Sequence, residues 1–244
     1  MLWQILEAHD GMLPDDVLVV FCNTGLEHRE TYEFIHRIEK NWVPVEWIEY
    51  VLNSEETPTF KTVDYLSASS QGEPFDLCIK KNKFLPNPRV RLCTANLKIR
   101  TLARFLKSKG WTEWNNIVGL RADEPRRVNR ITSHNIQETI FCPMYQGGAT
   151  IKEVNRFWKG HALDLGLSVD SNFGNCVGCF LKSYGLLEHI AREEPHQLKW
   201  WIETEDMTGA TFRNDRPKYS VILENAHKQL AFDFPSGIDC YCTD

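Results

Sequence analysis

A Cys-x-x-Cys, Asn175-Cys-Val-Gly-Cys179, stands late in the chain, and a third cysteine, Cys93, stands far upstream in Arg91-Leu-Cys-Thr-Ala-Asn-Leu-Lys98. A Cys-x-x-Cys sets two sulfurs within reach of one metal ion, and soft thiolates select zinc or an iron–sulfur cluster. If Cys93 joins the pair, the fold must bring distant segments together. The plainer reading makes Cys93 a small buried hydrophobe and the Cys-x-x-Cys an isolated redox pair.

Size and composition leave room for that demand. The chain has 244 residues, 42% hydrophobic and 25% charged, enough for one domain of good size or a domain with a small appendage. No apolar run approaches the ~18 residues of a membrane span. The opening Met1-Leu-Trp-Gln-Ile-Leu-Glu7 has neither the basic start nor the small-residue cleavage site of a signal peptide. Eight cysteines fall well below the roughly 8–10% of a disulfide scaffold. A reducing, cytoplasmic setting is expected, with cysteines used for metal or redox work. A net charge of −5 speaks against a general nucleic-acid coat but leaves space for a local basic pocket.

The hydrophobic pattern alternates between helix and strand. Residues 1–10 read as a helix, and Val17-Leu-Val-Val-Phe-Cys22 as a parallel strand buried on both faces. Asn23-Thr24-Gly25 is a turn, residues 28–40 a helix, and Val45-Glu-Trp-Ile-Glu-Tyr50 a second strand, alternating in polarity. This is the grammar of an α/β sheet with right-handed crossovers. Residues 53–90 read as irregular, with a loop at 67–72. Further on, the pattern predicts a helix over 95–109, a strand over 116–121, a polar loop over 122–127 and a short strand over 140–144. A helix over 150–160 opens on a Thr150…Glu153 capping box. One or two helices follow over 183–205, around Pro195, and a last one over 217–231. The expected fold is α/β: a mostly parallel, doubly wound sheet within residues 1–165 and a helical, cysteine-bearing part over 166–244.

Four motifs in order resemble the phosphoadenylyl-sulfate reductase-like family of the PP-loop superfamily, in its phage and bacterial branch. Val19-Val-Phe-Cys-Asn-Thr-Gly25 with Glu30-Thr-Tyr-Glu-Phe34 is similar to that family's second strand and following helix. Val118-Gly-Leu-Arg-Ala-Asp-Glu-Pro-Arg-Arg127 is similar to its Gly-Ile-Arg strand and basic loop. Cys93–Lys98 and Asn175–Ser183 resemble its cysteine segments. The family's Ser-Gly-Gly-x-x-Ser loop, whose amides and helix N-terminus hold phosphate, has no counterpart. Gly147-Gly148 lies far downstream and lacks the serines. The chain is expected to start just after that loop and its strand.

The resemblance implies an adenine-nucleotide-handling fold and reductive release of sulfite from adenosine phosphosulfate, with a thioredoxin-type reductant. It implies a [4Fe–4S] cluster on Cys93, Cys176 and Cys179, with zinc as the alternative. Where the family has a Cys-Cys pair, this chain has Cys93-Thr94, so a fourth ligand would come from Cys142, Cys240 or Cys242. The family's tail nucleophile would be Cys240 or Cys242. Asn23, Thr24 and Gly25 would lie near the nucleotide. Arg121, Arg126 and Arg127 follow a strand's carboxyl end, where open α/β sheets place ligands, and guanidinium suits phosphate or sulfate; a solvated loop paired with Asp123 and Glu124 is the plain alternative. Lys98 and Lys182 each follow a cysteine motif and would neutralise a cluster or contact an ATP-like substrate. Other expectations are a sulfurtransferase acting on nucleic acid, as in DNA phosphorothioation, and a catalytically inactive, metal-stabilised binding module. Cys22 and Cys78 are expected in the core, Trp200 and Trp201 in packing, and His134 is the histidine nearest the basic loop.

Overall fold

Val20–Asn23 forms strand β1, and Glu46–Leu52 forms β2 parallel to it, with Val20 opposite Glu46 and Asn23 opposite Glu49. The helix between them, α2 (Arg29–Asn41), is opened by His28, whose Nδ1 accepts the Glu30 amide at 3.2 Å. Its Tyr32 and Ile38 face the core. A helix linking two parallel strands is the crossover that the pattern predicts. The computed structural model describes residues 1–131, 138–164, 166 and 173–228.

Residues 53–90, expected to be irregular, carry two elements. Pro58–Val63 forms β3, antiparallel to β2. Its hairpin turn is tied by the Asn53 carboxamide oxygen, which accepts the Glu55 and Thr57 amides at 3.0 and 2.8 Å. Glu73–Asn82 forms α3, with Pro74 in its first turn and Lys80 and Lys81 in its last. Proline at a helix start and lysine at its end suit those positions.

The expected 95–109 helix begins at Cys93. Cys93–Arg100 is wound as a π-helix and runs directly into α4 (Thr101–Ser108). Strand β4 (Trp114–Ile117) comes earlier than expected, and Val118–Arg121 lies beyond it in a loop. After α5 (Pro125–Ile131), β5 (Glu138–Phe141) pairs parallel to β4. One short helix, α6 (Pro143–Gln146), and the capping-box helix α7 (Ile151–Trp158) follow, with Thr150 and Glu153 in the reciprocal bonds that the sequence predicts. The later part is helical: α8 (Tyr184–Glu193), a 3-10 turn opened by Pro195, α9 (Lys199–Thr208) and α10 (Tyr219–Lys228).

The architecture is therefore α/β, with a three-stranded sheet in the order β1-β2-β3 and a two-stranded sheet of β4 and β5 among the described residues. Strand β2 is covered on both faces. Trp47 stacks on Tyr32 of α2 at 6.2 Å, and Ile48 packs with Phe105 and Leu106 of α4. That explains why a strand of alternating polarity is buried from Trp47 to Tyr50. The helical part closes over Phe180, Leu187, Trp201, Phe212 and Tyr219, and this cluster also receives Leu26, Ile79 and Cys93 from the earlier part.

Candidate thiol site at the carboxyl end of the first strand

The site begins where β1 ends. Asn23 is fully buried, and all four hydrogen-bonding positions of its carboxamide are used. The nitrogen donates to Glu49 Oε1 (2.7 Å) and the Ser69 carbonyl (2.8 Å); the oxygen accepts from the Gly25 amide (3.0 Å) and the Tyr32 hydroxyl (3.0 Å). Asn23 thus locks the turn. Gly25 follows with φ +81°, and a β-carbon there would stand 2.9 Å from Pro74 Cδ, so glycine is needed both for conformation and for space.

Thr24 is also fully buried, and its hydroxyl faces two partners. Oγ1 lies 2.6 Å from Glu27 Oε1 and 3.3 Å from Cys176 Sγ, while Glu27 Oε2 accepts the Thr24 amide at 3.2 Å. Because the hydroxyl gives its single proton to the carboxylate, the thiol is the donor toward Thr24. Cys176 arrives from the far end of the chain on a short antiparallel bridge to Glu27, fixed by the Val177 amide on the Leu26 carbonyl at 3.0 Å. Asn175 precedes it at φ +59°, a left-handed conformation that asparagine tolerates better than most residues.

The π-helical segment brings the third motif. A π turn bonds residue i to i+5, so positions five apart stack on one side. Cys93 and Lys98 are five apart, and both interact electrostatically with the Cys-x-x-Cys: Cys93 with Cys179, and Lys98 with Cys176. The Cys22 thiol points at the Lys98 carbonyl at 3.9 Å. Cys93, Cys176, Cys179 and Lys98 therefore meet at the end of β1, beside Thr24 and Glu27.

Burial dominates the titration of these groups. It pushes the Cys93 thiol up to about 11, with the Cys179 charge adding to the rise, and the Cys22 thiol up to about 12. It also pushes Cys176 well above the usual thiol range; Glu27 and Cys179 push the same way, while Lys98 opposes. Burial alone would lower the Lys98 ammonium. The negative charge of Cys176, Glu27, Cys22 and Cys93 together outweighs it, and the group stands above its ordinary value.

Among the described residues no three His, Cys, Asp or Glu side chains are arranged to hold one ion. A lysine stands among the sulfurs, and the Cys176 thiol is spent on Thr24. The arrangement is that of a protonated thiol with a hydrogen-bonded route to a carboxylate and a nearby cation.

The remaining predicted residues make other contacts. Arg121 pairs with Asp123 at 3.1 Å and Glu124 at 3.3 Å, Arg127 pairs with Glu124, and Arg126 is exposed. Arg121 also lines a cavity of ≈260 Å3 with Met1, Trp3, Trp42, Gly119 and Phe157. Lys182 is buried, and its Nζ donates to the Gly174 carbonyl at 2.9 Å, bracing the loop that leads to Cys176. Trp201 packs against Gly178 and Trp200 against Gly72, as expected of core tryptophans. Cys78 is buried, Cys22 packs beside Ile48 and Phe105, and Cys142 lies in a separate apolar cluster with Leu120 and Val128. Cys240, Cys242 and His134 lie outside the described residues.

Glu27 escaped the sequence reading. Its signal was there: Thr24-Gly-Leu-Glu27 is a Thr-x-x-Glu ahead of an apolar-periodic helix, the pattern in which a carboxylate reaches back to the threonine amide. Tyr32, Glu49 and Ser69, the partners of Asn23, carried no such local signal.

No protein-family model matches the chain, and no solved structure matches it. The chain is similar to the "Uncharacterized nin region protein ORF290" of Escherichia phage lambda, 28% identical over 209 residues that cover 82% of this chain and 67% of the relative. The described helices include none long and apolar enough to cross a membrane.

Proposed function

We propose that this chain is a phosphoadenylyl-sulfate reductase-like protein that performs thiol chemistry on the sulfur of a nucleotide-linked anion, with Cys176 as the attacking group. The observation behind this reading is the convergence of three remote motifs, Asn23-Thr24, Cys93…Lys98 and Cys176-x-x-Cys179, on one proton route. The doubly wound sheet belongs to the same reading; the parallel pairs β1–β2 and β4–β5 support it.

In the proposed reaction the Cys176 proton passes to Thr24 as the Thr24 proton passes to Glu27, and Lys98 stabilises the thiolate. The thiolate attacks the sulfur of adenosine phosphosulfate. A sulfur–sulfur bond forms, the sulfur–oxygen bond breaks, and adenosine phosphate leaves with the electron pair. A second thiol, Cys179, then attacks Cys176 Sγ, gives up its proton, forms the disulfide and releases sulfite. Two thiols lose two electrons and the sulfonyl sulfur gains them. A thioredoxin-type dithiol restores the thiols. No step runs through a metal.

The test is incubation with adenosine phosphosulfate, with and without a 3′-phosphate, and a dithiol. Sulfite and adenosine phosphate should appear in equal amounts, vanish in Cys176→Ala, and fall by ~10²-fold or more in Thr24→Val, the scale of a lost proton-transfer group. Absence of both products, with no nucleotide binding by calorimetry, overturns the proposal. Iron and zinc analysis of the same anaerobic sample shows whether a soft metal accompanies the thiols.

A further inference from the structure

The segment from Leu77 to Thr112 holds ten of the chain's 28 lysines and arginines and none of its 33 aspartates and glutamates. It runs from the middle of α3 through the loop before Cys93 and the π-helix to just past α4. These elements form one layer on the sheet. Tyr50 of β2 packs with Phe75 and Cys78 of α3 and Leu97 of the π-helix, and Ile48, on the same side of β2, packs with Phe105 and Leu106 of α4. The other side belongs to α2, which α1 (Leu2–Ala8) meets through Leu6 against Ile38. Lys80 and Lys109 find carboxylates from outside the segment, Glu56 and Glu46, each at 3.1 Å. Lys98 belongs to the thiol site. The other seven make no ion pair among the described residues.

Two of those seven, Arg100 and Arg104, gather near Tyr50. They stand one turn apart across the junction of the π-helix and α4. Arg100 is exposed, and its Nη1 donates to Asn96 Oδ1 at 2.9 Å. Arg104 is half-buried, and its Nη1 is enclosed with no hydrogen-bond partner. The hydroxyl of Tyr50, a residue 1% exposed, is enclosed and unpartnered as well. The groups act on one another. Burial pulls the Arg104 guanidinium below its ordinary value, Tyr50 opposes, and Arg100 adds to the fall, with no carboxylate taking part. Burial raises the Tyr50 hydroxyl, Cys78 adds to the rise, and Arg104 opposes.

What this cluster lacks is an acceptor. A guanidinium only donates, and a buried tyrosine hydroxyl needs somewhere to send its proton. The acceptors at hand are taken. Asn96 Oδ1 holds Arg100, and Cys78 Sγ, a weak acceptor, receives the carboxamides of Asn82 and Asn96 at 3.7 and 3.8 Å. Two like charges one turn apart and two unpaired buried donors are each destabilising. An oxyanion reverses all of this at once. Its oxygens accept from both guanidinium groups and from the phenol, and its charge offsets theirs. A water molecule brings no charge.

We infer that Arg100, Arg104 and Tyr50 form a phosphate-binding notch, built from residues other than those of the thiol site, with Arg100 at its exposed mouth and the Tyr50 hydroxyl at its floor. The ligand is a phosphate group, because paired guanidinium forks suit its oxygens. That group is either free or part of a nucleic-acid strand. Lys81, Lys83, Arg89 and Lys107 are exposed on the same acid-free segment. They would meet the neighbouring phosphates of a strand and would add little for a lone phosphate.

The test is calorimetric titration of the 244-residue chain, at constant low ionic strength, with inorganic phosphate and separately with a short thymidylate oligonucleotide. Phosphate should bind at one saturable site. Arg104→Met and Tyr50→Phe should each weaken it by ~10-fold, the scale of a lost hydrogen bond to a charged group. Lys107→Met removes the same charge from an exposed position of α4 and should stay within ~2-fold. Without phosphate, Arg104→Met should resist urea at least as well as the parent, since it removes an unpaired donor and a like-charge pair; phosphate should raise the urea midpoint of the parent and not of the variant. An arginine with a purely structural role would give a weaker variant and no phosphate effect. Should Arg104→Met fail to fold, Tyr50→Phe carries the reading. An oligonucleotide that binds tighter than phosphate names a strand as the source, one that binds no tighter names a free phosphate, and either supports the notch. No saturable phosphate binding, or equal losses in Lys107→Met and Arg104→Met, overturns the inference. The titration involves no thiol chemistry, so it stands or falls apart from the proposed reaction.

Discussion

Cys176 can act only when its proton has somewhere to go, and Glu27 serves two opposed purposes there. As a base it receives the proton through Thr24; as a nearby negative charge it holds the thiol protonated. Glu27→Gln should therefore speed alkylation of Cys176 by iodoacetamide at pH 8 while slowing sulfite release. Lys98→Met removes the opposing cation and should slow both. Rates that move together in Glu27→Gln would show that Glu27 takes no proton. The other buried thiols set an alkaline limit. Cys78 and Cys93 are pushed up to about 11 and Cys22 to about 12, chiefly by burial. A thiol raised in the folded state contributes stability that is complete below its unfolded value near 9 and is lost as pH climbs toward 11–12, because the unfolded chain then binds fewer protons. The urea midpoint should hold to about pH 8.5 and fall above it, with a shallower fall in Cys22→Ala. The cysteines, Lys98 and Thr24 were legible as candidates because each sits in a local motif. The Asn23 partners were not, since Tyr32, Glu49 and Ser69 meet only through tertiary folding.

At the scale of elements, the Cys-x-x-Cys loop is shaped by what packs beneath it. A β-carbon on Gly178 would stand 2.2 Å from Trp201 Nε1, and the Tyr219 hydroxyl donates to the Gly178 carbonyl at 2.6 Å. Helices α9 and α10 thus clamp the residue between the two sulfurs. Gly178→Ala should cost about 1–3 kcal/mol in urea unfolding, the usual scale of overpacking. Gly174→Ala, with open space around its would-be side chain, should stay within about 0.5 kcal/mol. Equal losses would place the sensitivity in the loop backbone instead. Helix α2, β2 and the capping box of α7 were readable because period and caps agree. Strand β3 and α3 were missed because their signals were punctuation as well: an asparagine turn, and a proline that opens a helix as readily as it ends one. The π winding of Cys93–Arg100 had no sequence signal, and it is what lets an offset of five bring a cysteine and a lysine to one side.

Across the whole molecule, the α/β alternation was legible, while the division into two separate sheets was not, because pairing partners are chosen in three dimensions. The edge of the larger sheet carries one further consequence. Glu49 is fully buried on β2, and Lys61 lies directly opposite it on β3, with Nζ 2.9 Å from Oε2. Sliding β3 by one position would carry the ammonium to the other face of the sheet and leave Thr62 or Phe60 facing the carboxylate. Lys61→Met should destabilise the chain by about 1.5–3 kcal/mol, the scale of a hydrogen bond to a charged group, and Glu49→Gln in the same chain should recover part of it. No recovery would mean that Glu49 is content with Asn23 and Ser69 alone. The pair works as a key in a lock: it admits one alignment of an otherwise permissive outer strand, so that a border which could slide or recruit a neighbour is held to a single setting.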